Sequence, residues 1–348
     1  MQEVDRPAVY SRTGFPDNDP SYQRLRDYLW HHTEQKALWW GGPSEGGFPR
    51  DTVVDRHSES FDRRTETLHT PKGDLIRSFL ISRTGEPGMY DSHYVGSPED
   101  AEAFLSLPPA DVETDPSQFF EVDAGVGEAG IAEVLLGSNP AGYVAELCGS
   151  ENFALMTVTA RDTLHRLCRR RMDELLRRVK FLIAHGVGPF FSMQGEEYLV
   201  PPLHGPADFD DFNVRYDKPI IDAVHDGGGH VHVHSHGRVR QVFGGFLTMG
   251  ADVLHPCESP PQGDLLARDA KEMARGSMCI EGNIQINRMY ECSPHEISEE
   301  TATLIRDAFD DRRGLIVSPT ASPYIRGAGE ICLPRYVAMV ETVLGTGD

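Results

Sequence analysis

Histidines stand at 230, 232, 234 and 236 in the stretch Gly229–Asp264. In an extended segment, residues two apart share a face, so the four imidazoles fall on one side and Val231, Val233 and Ser235 on the other. Imidazole is mostly deprotonated near neutral pH, and His234 and His236 suit two coordination positions on one zinc ion. A catalytic zinc wants a third protein ligand and an open position. The next apolar segment ends in His255-Pro-Cys-Glu258, which offers Cys257 or Glu258, with His255 behind them. Glu258 is preferred, because Pro260-Pro261 stiffens the loop that would hold it. Without a metal, the histidines are barrel-filling hydrogen-bonded groups and Glu258 is an acid–base residue or a loop anchor. Glu281 shares its strand face with Cys279 and Asn283, and an inward carboxylate there needs a partner. It either orients a histidine or touches substrate. Glu258, Glu281 and Tyr198 are the candidate catalytic residues. Glu197, Asn283 and Tyr324, each near a strand end, are candidate substrate contacts.

Such groups need a scaffold that brings strand ends together. The histidine strand is followed by an amphipathic helix near Val239–Met249 and a second strand near Ala251–His255. From residue 140 onward, strand and helix alternate at intervals of about 20 to 45 residues, which predicts a parallel sheet with crossover helices. The predicted elements include a helix at Tyr22–Gln35 and a strand at Tyr143–Leu147. A long helix follows at Ala160–His185, then strands at Gly188–Met193, Met278–Glu281 and Leu315–Ser318. Ser293-Pro-His-Glu296 has capping-box spacing for another helix. Phe119–Gly137 reads as glycine-broken but helix-compatible. Residues 52–83 alternate in the β manner around a turn at Thr70-Pro-Lys-Gly73, predicting an antiparallel ribbon inserted in the early barrel. Ala37–Pro49 is an irregular, glycine-rich segment whose Trp39 and Trp40 read as core or cover. The expected fold is α/β, a (β/α)8 TIM barrel with an N-terminal β-ribbon insertion, as one domain over 1–348. Active sites of such barrels lie at the C-terminal strand ends.

Composition narrows the function. The chain has 348 residues, 33 basic and 54 acidic side chains, and a formal charge of −21. There is no basic footprint for nucleic acid, and anionic membrane surfaces are disfavoured. No apolar run approaches the ~20 residues that span a bilayer. The start, MQEVDRPAVY, lacks the regions of a signal peptide, so the expected location is cytoplasmic. Six scattered cysteines without a CxxC pair read as reduced thiols. Neither a phosphate loop nor a GxSxG elbow occurs, and Gly125-Val-Gly-Glu-Ala-Gly130 lacks the preceding strand of a dinucleotide turn.

Several of these segments together resemble the uroporphyrinogen decarboxylase superfamily, in its corrinoid-dependent methyltransferase-like branch. They are Tyr216-Asp-Lys-Pro-Ile220, His234-Ser-His-Gly-Arg-Val239, Met249-Gly-Ala-Asp-Val-Leu-His-Pro256, Glu258, Gly263-Asp264 and Glu281-Gly-Asn-Ile284. Asn18-Asp-Pro-Ser-Tyr22 and Thr70-Pro-Lys-Gly73 fit more weakly. The resemblance implies a barrel enzyme with its site in the C-terminal mouth. It would move a methyl group between a small O- or S-methyl compound and a corrinoid on a partner protein, assisted by zinc or another divalent metal. A homodimer is an allowed assembly. The alternative is a metal-assisted decarboxylase or lyase acting without corrinoid. The arginine-rich Met-Arg-Gln-Ala-Gly-Arg signature of the tetrapyrrole decarboxylases has no counterpart here. His234 matches the first zinc position of the methyltransferases. His236 stands where they have cysteine, and Ser318-Pro-Thr-Ala-Ser322 holds no later cysteine. The implied site is therefore one of nitrogen and oxygen donors rather than thiolates.

Overall fold

Barrel strands carry apolar residues toward the covering helices and a mixed set toward the axis, the alternation that the histidine strand shows. The structure, a computed structural model, describes residues 2–11, 14–40, 48–83 and 88–347. The predicted irregular segment after Trp40 lies, over 41–47, outside the described residues. In chain order the strands are β1 (Ala8–Val9), β2 (Gln35–Trp39), β3 (Arg50–Arg56), β4 (Phe61–Thr70), β5 (Gly73–Ser82) and β6 (Met89–Ser92). They continue with β7 (Gly130–Ser138), β8 (Phe190–Gln194), β9 (His230–His234), β10 (Val253–His255), β11 (Cys279–Ile284) and β12 (Leu315–Pro319).

Eight strands pair in parallel in the order β1-β12-β11-β10-β9-β8-β7-β2. The sheet curls on itself. Lys36, on the edge strand β2, reaches Glu281 on β11, third from the opposite edge, at 2.8 Å. The two edges meet where the Glu34 amide donates to the Val9 carbonyl at 3.1 Å, and the Val9 amide donates to the Glu34 carboxylate at 2.7 Å. Crossover helices cover the outside, giving a TIM-like barrel. On β9, Val231 and Val233 are fully buried toward the helices. Burial of this kind contributes about 1.5–3 kcal/mol per side chain. No helix among the described residues is long and apolar enough to cross a membrane.

The predicted ribbon is a separate four-stranded antiparallel sheet, in the order β3-β4-β5-β6. It follows the second barrel strand, so it interrupts the barrel rather than preceding it. The turn at Thr70-Pro-Lys-Gly73 joins β4 to β5 as expected, with Gly73 at φ +128°. The single long strand expected before that turn is broken at residues 57–60.

Three expectations fail. Ala37–Trp39, read as the start of an irregular segment, completes strand β2. Tyr143–Leu147 is not a strand but part of a helix, Pro140–Cys148. Asn139 caps that helix by accepting the Gly142 amide at 2.7 Å, and Pro140 starts it. The helix is apolar on most sides because it is packed on most sides, which imitates a buried strand. The missing strand is β7, inside the stretch read as helix-compatible. A Cβ on Gly130, its first residue, would sit 1.8 Å from the Gln35 carbonyl oxygen, so the glycine there serves close strand pairing. The capping box at Ser293–Glu296 is present and opens the helix Pro294–Ala308.

Candidate active site

Inside the barrel, alternation on β2, β7, β9 and β11 delivers Lys36, Glu133, His232 and Glu281 to a single layer. Lys36 Nζ lies 2.8 Å from Glu281 Oε2 and 3.6 Å from Glu133 Oε2. His232 Nδ1 lies 3.1 Å from Glu133 Oε1, and its Nε2 lies 3.7 Å from Glu281 Oε2. Burial opposes ionisation of Glu281, but Lys36 first and then the two histidines outweigh it and hold its pKa at about 2. Glu133 is likewise held far below the usual carboxylate range: burial pushes it up, and His232 and Lys36 pull it down further. The same two carboxylates overcome the burial of Lys36 and keep its ammonium charged. With Tyr10 against Lys36, this layer floors a pocket of about 450 Å³, counted out to its open mouth.

One layer up, at the strand ends, stand the predicted ligands. His255 Nε2 lies 3.1 Å from the Pro319 carbonyl, which can only accept, so that nitrogen carries the proton. With both rings neutral, His255 Nδ1 accepts from His234 Nδ1–H at 2.8 Å. The lone pair of His234 is therefore on Nε2. His236 Nδ1 lies 3.2 Å from Glu258 Oε2, which also accepts the Gly237 amide at 3.1 Å. Burial raises the pKa of Glu258, but the His236 hydrogen bond first and then that of the Gly237 amide bring it below its ordinary value. An ionised carboxylate accepts only, so His236 in its neutral form too has its lone pair on Nε2. The two rings stand 4.7 Å apart, centroid to centroid, at 87°. Gly263 makes room for the Glu258 loop, since a Cβ there would meet the Glu258 carbonyl at 2.2 Å.

The structure thus sets His234 beside His236 and His236 beside Glu258 at the mouth, but the three do not bring one ligand atom each within 4.8 Å of one another, and Glu258 is turned onto a histidine. Cys257 is fully buried, and burial pushes its thiol up to about 12. Glu197 is in the same neighbourhood: its Oε2 accepts the Gly195 amide at 3.0 Å, and burial raises its pKa against the smaller lowering by the backbone and by His236. The pKa of Tyr198 is pushed up to about 12, by burial first and then by Glu146 and Glu197, so its phenol stays a donor. Asn283 is spent on the chain, donating to the Cys257 carbonyl at 2.9 Å. Tyr324 is 56% exposed and packs edge-on against Tyr290. His230, expected on the axis with the other histidines, sits at the opposite strand end, 59% exposed beside Asp252.

His232, His255 and Glu281 bring ligand atoms within 4.8 Å of one another, the one such trio among the described residues. On distance they could hold a metal. Two features weigh against it. Lys36 already neutralises Glu281, and His255 engages both ring nitrogens. The residues the sequence reading missed, Lys36 and Glu133, do carry a signal. Each is a lone charge in an apolar alternating run, Gln35–Trp39 and Gly130–Ser138.

Behind Glu197 lies a second surprise. Glu196 and Asp217 are fully buried, and neither Glu196 oxygen nor Asp217 Oδ1 has a hydrogen-bond partner. Asp217 Oδ2 accepts from Asn139 at 2.8 Å. Burial first, then the charge of Asp217, holds the Glu196 carboxyl protonated far above the carboxylate range. Burial does the same to Asp217. The folded chain then binds more protons than the unfolded one, so this contribution is full below the ordinary carboxylate pKa and is lost as pH rises. Glu196→Gln should therefore raise stability at pH 8 by ~1 kcal/mol or more, and by less at pH 5. Urea midpoints at the two pH values check this; equal shifts at both would contradict it.

Against this geometry, the comparisons place the chain. It belongs to the uroporphyrinogen decarboxylase (URO-D) family, whose profile matches residues 138–322. That span holds both histidine ligand candidates, Glu258 and Glu281. Its fold is similar to that of a methyltransferase from Methanosarcina mazei. That likeness has 14% identity and a TM-score of 0.65, over 97% of this chain and 94% of that one. A B12-independent methionine synthase from Shewanella sp. W3-18-1 is a weaker likeness. It has 12% identity and a TM-score of 0.45, over 85% of this chain and 75% of that one. A comparison with curated protein sequences finds no match.

Proposed function

We propose that this URO-D-family chain is a cytoplasmic enzyme that transfers a methyl group between a small O- or S-methyl compound and a corrinoid on a partner protein, with a divalent metal at His234 and His236. One observation carries the reading: the hydrogen-bond order that leaves Nε2 of both rings as the lone-pair nitrogen at the barrel mouth. A donated N–H held by a carboxylate or another acceptor is the usual support of a ligating histidine. Two imidazoles on one tetrahedral ion stand about 5 Å apart by centroid, which the observed spacing suits. The two nitrogen donors fit a zinc-like ion that keeps its remaining positions for substrate or water, with Glu258 behind His236 rather than on the ion. When bound, the metal supplies Lewis acidity toward the substrate's heteroatom, and the corrinoid supplies the cobalt that carries the methyl group.

The chain's own residues do the rest. Glu258 fixes the His236 ring, and His255 fixes His234. The Lys36 layer floors the pocket with paired charge. Tyr198, protonated at neutral pH, can donate a hydrogen bond at its Oη.

Glu258→Gln should lower metal affinity about 10–100-fold if Glu258 orients His236. Competition with a chelator, read by elemental analysis, measures it. Methylcobalamin turnover, followed by its visible spectrum, tests the reaction itself. Metal-dependent activity that leaves the cobalt–carbon bond untouched would replace methyl transfer with a lyase or decarboxylase reaction.

A further inference from the structure

A second cavity shares Trp40 with the barrel pocket and lies between the helix Pro140–Cys148, the helix Arg161–Ala184 and the segment 104–112. Its space, counted out to the opening, is about 910 Å³. Trp40 lines both pockets, and its indole covers Gly137, where a Cβ would come within 2.8 Å.

Two arginines from one helix face line this cavity. Arg178 is only 5% exposed. Its terminal nitrogens make long bonds to the Leu136 and Leu135 carbonyls, at 3.5 and 3.3 Å, and its Nε has no partner. Arg171, two helical turns earlier, also has an unpartnered Nε, and its ion pair with Glu174 is 3.7 Å long. Glu174 is shared with Arg170 at 3.5 Å. Glu146, the other lining glutamate, accepts from Ser138 at 2.8 Å. Among the described residues, no carboxylate pairs with Arg178. A buried guanidinium without a counter-ion is costly, and burial first, then Arg171, pulls its pKa down to about 10. The walls around it are aromatic beside the arginines and acidic elsewhere, where Asp111, Glu146 and Glu174 also line the cavity. Arg171 lies 4.6 Å over the Tyr143 ring, Arg178 lies 5.7 Å over the Trp40 ring, and Phe104 closes the side.

We infer that this cavity is a binding site for an aromatic anion, with the carboxylate or phosphate on Arg178 and the planar body among Trp40, Tyr143 and Phe104. The chemistry follows from the parts. A guanidinium fork with free N–H groups matches either oxyanion, and rings stack on flat ligands. This site is separate from the histidine site and does not depend on the reaction assigned to it.

Calorimetric titration of the full chain with benzoate, phenyl phosphate and neutral benzamide tests the inference. At least one anion should bind about tenfold or more tighter than benzamide. The tighter anion identifies the group the arginines recognise. Arg178→Met should erase that preference, while the H234A/H236A variant keeps it. Should Arg178→Met fail to fold, Arg171→Gln, on a partly exposed side chain, should weaken the anion several-fold. The inference is overturned if benzamide binds as tightly as the anions, or if the arginine variants keep the preference. It is equally overturned if the histidine variant loses the preference, or if neither anion binds at about 10 mM.

Discussion

Replacing Lys36 with methionine is expected to destabilise the fold by about 3–5 kcal/mol, the cost of leaving buried charge unpaired. Its side chain is 10% exposed, and those of Glu133 and Glu281 are 4% and 0% exposed. Methionine fills a similar volume, so the loss is one of charge rather than of packing. Two carboxylates would then face each other across the barrel with only His232 between them. Adding Glu281→Gln to Lys36→Met should recover part of the loss, because it removes one of the stranded charges. The pH dependence has a definite sign. Glu281 is held near 2 in the folded chain, against about 4.5 for an ordinary glutamate. Its stabilisation is present above the unfolded value and drains away as pH falls from there toward 2. Urea unfolding at neutral pH and at pH 4, on wild type and both variants, measures all of this. A Lys36→Met loss under about 1 kcal/mol would mean that the ion pairs carry little of the stability.

The second large effect concerns chemistry. The double variant H234A/H236A should lose its metal and lower the turnover rate on the order of 10³-fold or more, since a Lewis-acid metal supplies several kcal/mol at the transition state. The fold should survive, because both rings lie at the mouth and His236 is 39% exposed. Elemental analysis and the methylcobalamin assay are the readouts. Full activity in the double variant would end the metal assignment.

What the sequence made legible depended on how local the signal was. The histidine alternation placed β9 correctly because its partners, Val231 and Val233, obey the same period. The capping box at Ser293 needed only four residues. β7 was hidden because its neighbours, Gly125, Gly127 and Gly130, look like helix breaks. The helix at Pro140 was hidden because burial on most sides removes the polar stripe that marks a helix. The site split the same way. His234, His236 and Glu258 come from adjacent strands and could be paired on paper. Lys36 and Glu281 are 245 residues apart and meet only once the sheet curls. Asn283 and Tyr324 were placed by their proximity to strand ends; Asn283, inside β11, donates to the Cys257 carbonyl, and the loop after β12 leaves Tyr324 exposed.

The seam between β1 and β2 has a consequence for how the barrel could breathe. Every other neighbouring pair of staves is zipped by a run of main-chain bonds, but here the hoop is fastened by Glu34 and Val9 and, across the bore, by the clasp of Lys36 on Glu281. Acid that discharges the clasp would slacken the hoop at its thinnest join, so amide exchange along Gln35–Trp39 should quicken before that of the staves opposite.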